Sequence, residues 1–119
     1  RAIIIYPMNA LANDQMKRLR DILADYPAIT FGVYNSSTQY TDDAGIAKYG
    51  EIFKDEGGYP LKPLPNEAIS RATMQQKPPH ILMTNYAMME YMMLRPNDDL
   101  VFFRFRFSFP GHRLSCLLF

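Results

Sequence analysis

The chain has 119 residues, 48% of them hydrophobic, and 13 Lys and Arg against 12 Asp and Glu give it a formal charge of +1. That length bounds it at one domain, the apolar fraction excludes a wholly disordered chain, and the near-zero charge excludes a polybasic binder held by bulk electrostatics. Cys116 is the single cysteine, which rules out an internal disulfide or multi-cysteine zinc site; without a run of about 18–20 apolar residues or a signal peptide, no membrane partner is expected, and the expected compartment is a reducing cytoplasm.

Arg1 stands directly before an apparent buried strand, so the chain reads as a piece of something longer. Residues 2–6 (AIIIY) are an apolar, β-branched run that fits a strand covered on both faces. Pro7 ends it, because proline cannot donate to a ladder. Leu11, Met16, Leu19, Ile22, Leu23 and Tyr26 then recur at helical spacing, predicting an amphipathic helix of about four turns. Asn9 is its expected N-cap, and Pro27 its stop. Residues 28–34 (AITFGVY) predict a second strand, which completes the length of a βαβ unit. Asn35-Ser36-Ser37-Thr38 has loop chemistry.

Residues 41–77 read as an irregular insert between core elements, with Gly45, Gly50, Gly57, Gly58, Pro60, Pro63 and Pro65. Within it, 44–53 is an expected short helix and 57–65 a loop. A second short helix is expected over 66–76, with Asn66 as cap and Glu67 in its first turn, where negative charge is favoured. Residues 80–83 (HILM) predict a third buried strand, and Thr84-Asn85 the cap of a helix over 86–94 that Pro96 closes. The order strand, helix, strand, insert, strand, helix is that of an α/β parallel sheet flanked by helices, here incomplete. The run 101–109 (VFFRFRFSF) alternates Phe with Arg or Ser as an amphipathic strand does. It opens an atypical Phe-rich tail, 101–119, beyond the expected domain of 1–100.

In open parallel sheets, ligands bind outside the carboxyl ends of the strands. Three loops are expected there: 7–9, 35–38 and 84–85. Two of them open helices, whose free N–H groups suit a phosphate. Such contacts would hold a nucleic-acid backbone without reading its bases. The alternative is that Asn9, Asn35 and Thr84 are ordinary caps and turn residues.

The run YPMNALANDQ (6–15) resembles motif Ia of superfamily 2 helicases, and PHILMTNYAMMEY (79–91) resembles motif Ic. With the trailing Leu94-Arg95-Pro96, the pair is similar to the DEAD/DEAH-box helicases that carry a large C-terminal extension, a group that includes bacterial DNA-repair and phage-defence helicases. Residues 33–38 stand where that family has motif Ib, without its usual glycine. The resemblance covers about residues 1–100. It implies the middle of the first RecA-like (P-loop NTPase) motor domain, in which these motifs hold the phosphates of one strand. Carried over by position, Pro7, Asn9, Ala10 and Gln15 would form the first contact loop, Asn35, Ser37 and Thr38 the second, and Thr84, Asn85 and Tyr86 the third. Thr84 is the foremost candidate, as a hydroxyl at a helix start. The implied partners are single-stranded or duplex nucleic acid, DNA favoured, and the missing remainder of the motor. ATP and Mg are implied for the full-length parent.

This chain has neither the Gly-Lys-Thr/Ser loop that cradles ATP phosphates nor a buried Asp-Glu motif for magnesium. Asp55-Glu56 precedes two glycines and reads as solvated surface. No catalytic residue and no metal site is therefore assigned, and the chain alone is expected to hydrolyse no ATP. Five of the eight methionines lie between Met83 and Met93 and read as packing. The alternative function is a non-catalytic α/β protein-interaction module with the Phe-rich tail as contact surface.

Overall fold

A computed structural model describes residues 1–95 and the backbone of 115–118. Five strands form one sheet: β1 (Ala2–Tyr6), β2 (Phe31–Tyr34), β3 (Glu67–Ala68), β4 (Ile81–Asn85) and β5 (Ser115–Leu118). Their spatial order is β3-β2-β4-β1-β5, and every pairing is parallel. Between them run α1 (Asn9–Leu23), α2 (Asp42–Ile52), α3 (Arg71–Gln76) and α4 (Tyr86–Leu94). The α/β class expected from the sequence is the one observed, and the arrangement agrees with part of a RecA-like domain.

Alternation along the strands explains the two cores. Ile3 and Ile5 of β1 join Leu82 of β4, Tyr34 of β2, Met74 of α3 and Met92 of α4 on one face. Ile4 and Tyr6 turn to the other face, with Met83, Phe31, Ala12, Met16 and Leu23 of α1, and Tyr49 of α2. A two-residue period with apolar groups in both phases is what a central parallel strand requires. Met83 and Met92 are buried and Met88 and Met89 pack against the first cluster, so this methionine run is mostly core filling. Gly32 has a steric reason: a Cβ there would lie 2.6 Å from the Ala68 carbonyl oxygen and 3.2 Å from Met74 Sδ.

Several boundaries differ from expectation. The first helix ends at Leu23, and its buried side is Ala12, Met16 and Leu23, whereas Leu11, Ile22 and Tyr26 are exposed. Residues 28–30 are turn and link rather than strand. The cause of both is Asn66. It caps no helix; its Nδ2 reaches the carbonyls of Leu23, Tyr26 and Ile29 at 3.1, 3.2 and 2.9 Å and ties off the turn after α1. Glu67 lies in a strand and not in a first helical turn. The helix of this region starts at Arg71, where Ser70 caps it by accepting from Thr73 N. The stretch 41–77 thus supplies an edge strand as well as two helices. Asp55 and Glu56 are exposed, and Asp55 Oδ1 accepts from Gly57 N and Tyr59 N to close a tight turn. The expected strand over 101–109 lies outside the described residues. Residues 115–118, read from sequence as tail, pair with β1.

Candidate nucleic-acid interface

Because all strands are parallel, their carboxyl ends share one edge. Register brings the end of β1 beside that of β4, with Tyr6 opposite Asn85, and the end of β4 beside β2, with Thr84 opposite Tyr34. The three loops expected at 7–9, 35–38 and 84–85 therefore emerge side by side. They are also bonded together. Asn85 Nδ2 donates to Asn9 Oδ1 at 2.6 Å, and Asn9 Nδ2 donates to Ser36 Oγ at 3.2 Å. Asn85 Oδ1 accepts from Met88 N at 2.8 Å and so caps α4. A relay of two amides and a hydroxyl thus links loops that are 27 and 76 residues apart in sequence.

The sequence-derived candidates divide by what their polar atoms are doing. Asn9 is the first residue of α1 and not its cap; Met8 holds the cap position and makes no side-chain cap bond. That frees the Asn9 amide for the relay. Pro7 and Ala10 are exposed beside it. Gln15 lies farther along α1 and is half-buried. Asn35 is buried and builds the second loop: its Oδ1 accepts from Ser37 N and its backbone N donates to Thr38 Oγ1, each at 2.9 Å. Thr38 Oγ1 donates in turn to Val33 O. Thr84 caps nothing. It is the penultimate residue of β4, 1% exposed, and its hydroxyl donates to Tyr34 O at 2.7 Å. Its hydroxyl stitches β4 to β2 beneath the loops and is turned away from solvent. Tyr86 opens α4 and is 57% exposed.

The sequence reading missed the cations. Arg71 is half-buried at the start of α3; its Nε donates to Thr38 O at 2.9 Å and an Nη to Asn35 O at 3.2 Å. Its guanidinium also lies 5.4 Å from the Tyr34 ring centre. Arg95, just past α4, stacks 4.2 Å over the ring of Tyr91. An open groove beside the relay is lined by Ser36, Arg71, Asn85, Tyr91 and Arg95. Arg71 was hidden because residues 66–76 were read as one helix. Tyr91 lies in the helix predicted over 86–94, but Arg95 falls just past its end, so the pair was not read from the sequence.

Behind the second loop, Glu67 joins three elements. Its Oε2 accepts from Tyr49 Oη and Leu64 N at 3.0 Å, with Arg20 Nε at 3.4 Å. Its Oε1 is buried without a hydrogen-bond partner among the described residues. Burial pushes the Glu67 carboxyl above the usual range, against the lowering by the Leu64 N–H, the Tyr49 hydroxyl and Arg20. Burial likewise pushes the Tyr49 phenol up, with the Glu67 carboxylate adding to it. At the far end of β4, partial burial, Arg1 and Lys77 hold the His80 imidazole below its usual value. Its Nδ1 lies 3.1 Å from Thr30 N, which fits the neutral ring accepting that bond.

Among the described residues no three of His, Cys, Asp and Glu converge on a point where a metal ion could sit. The loop after β1 reads Pro7-Met8-Asn9 and not Gly-Lys-Thr/Ser. Also among the described residues, no helix is long and apolar enough to cross a membrane.

Fold and edge together define the class: a parallel α/β sheet whose carboxyl-end loops are bonded into one polar surface with arginines at its side. The chain is 26% identical to the Druantia protein DruE of Escherichia coli (strain UMEA 4076-1), over 86% of its own length. It spans 9% of the length of that protein. No family model and no solved structure matches the chain.

Proposed function

We propose that this chain is the strand-holding part of the first motor lobe of a helicase-like, ATP-dependent protein. The observation that carries the reading is the relay Ser36–Asn9–Asn85, which ties three strand-end loops into one surface. The motif resemblance and the likeness to the Druantia protein support a helicase-related parent. In this reading the exposed groups of the loops, Ser36, Tyr86 and the backbone around Pro7–Ala10, meet phosphates. Asn35, Thr38 and Thr84 act from below by fixing loop shape.

In the longer protein, residues outside this chain would hold ATP and magnesium, and ATP hydrolysis there would supply the free energy that moves one lobe against the other. This segment contributes the grip alone. The loop groups are uncharged, so the salt dependence comes from the arginines beside them, Arg71 and Arg95, and each cation that neutralises a phosphate of a single strand contributes about −0.7 to the slope of log K against log salt. The chain is therefore expected to bind labelled single-stranded DNA weakly, with a salt slope of about −1, in a fluorescence-anisotropy titration, and to hydrolyse no ATP alone. Absence of binding at low salt, or binding indifferent to salt, would count against the reading. The interaction-module alternative rests on the run 101–109, outside the described residues.

A further inference from the structure

The groove beside the relay holds more than a phosphate track needs. Its lining includes Ser36, Asn85 and Arg71. The Arg71 guanidinium is fixed by two carbonyl oxygens, which leave its charge unneutralised, and it has no carboxylate partner among the described residues. A half-buried cation held by neutral acceptors favours an anion at its free edge. Its lining also includes Tyr91, 52% exposed, with the Arg95 guanidinium over its ring at 4.2 Å. A flat, exposed cation–aromatic pair suits a planar partner, because every nucleobase has a face that stacks on it. In a duplex those faces are hidden.

We infer that this groove takes a single strand with one base unstacked onto the Tyr91–Arg95 pair while Arg71 meets a neighbouring phosphate. The inference rests on the proposed function and deepens it: the ligand class becomes single-stranded nucleic acid with exposed bases, and duplex is disfavoured.

The test compares oligothymidylate with an abasic oligomer of equal length, which keeps the phosphates and lacks the bases, by anisotropy on the full chain. Tyr91→Leu should weaken oligothymidylate binding about tenfold, within the range for loss of one base–aromatic stack, and leave the abasic oligomer unaffected. Tyr91→Phe should keep the wild-type affinity, which shows that the site folds and that the ring acts rather than its hydroxyl. Arg71→Gln should weaken both oligomers alike and reduce the salt slope by about 0.7. If Tyr91→Leu changes both oligomers equally, or neither, the stacking inference is overturned while the grip reading stands. If the wild-type chain binds neither oligomer, both readings are overturned.

Discussion

Thr84 is the residue whose placement most changes the chemistry of this edge. Its hydroxyl is spent on Tyr34 O inside the sheet, so Thr84→Val should lower stability by about 1 kcal/mol, the net worth of a typical internal hydrogen bond, as measured by urea denaturation. Asn66 does more with one amide. Removing it takes that donor from the carbonyls of Leu23, Tyr26 and Ile29, of which the first two keep the backbone N–H of Tyr26 and Ile29, so Asn66→Ala should cost about 1 kcal/mol in urea denaturation, the net worth of a typical internal hydrogen bond. Glu67 makes a prediction in pH. Its folded-state value lies above the ordinary glutamate value of 4.5 because burial penalises the charge. The folded chain then binds more protons than the unfolded one, so this contribution is full below the ordinary value and is lost as pH rises through the folded value. Thermal melts should show that fall as pH increases from the ordinary glutamate range, and Glu67→Gln should abolish that part of the pH dependence.

At the scale of elements, the strongly patterned ones were legible in the sequence. The apolar runs at 2–6 and 81–83 fit strands covered on both faces, and α1 announces itself by its spacing. What was not legible depended on contacts distant in sequence. Asn66 looked like a helix cap because Asn followed by Glu is cap chemistry, but its partners are 37–43 residues away. The two-residue strand β3 carries too little pattern to be seen. It is held by the close approach of Gly32 to Ala68 and Met74. Gly32→Ala should therefore push β3 and α3 away from β2 and destabilise the chain by about 1–3 kcal/mol, as overpacking does, in a denaturant titration. The site was legible to the same degree. The resemblance picked the three loops, and their polar character was plain in Asn9, Asn35 and Asn85. Nothing local distinguished Thr84, which points inward, from Ser36, which is exposed. Arg71 reaches the second loop from an element 33 residues further on, a distance no local pattern spans.

For the molecule as a whole, the parallel sheet puts every strand end that matters on one edge, and side-chain hydrogen bonds then lock those ends together. Net charge is near zero, so whatever the edge holds it must hold with placed groups. The relay makes a distinctive demand: the loops should work as a unit. Asn9→Ala removes the link from one side, and Asn85→Ser removes it from the other while keeping an oxygen to cap α4. The most direct measurement is the affinity of both single variants and the double variant for single-stranded DNA at one low salt concentration. Each single variant should lose about tenfold, close to 1.4 kcal/mol, and the double variant should lose no more than that, because the second change breaks a link already broken. Losses that multiply, or single variants that bind as the wild type does, would contradict a grip built from three joined loops.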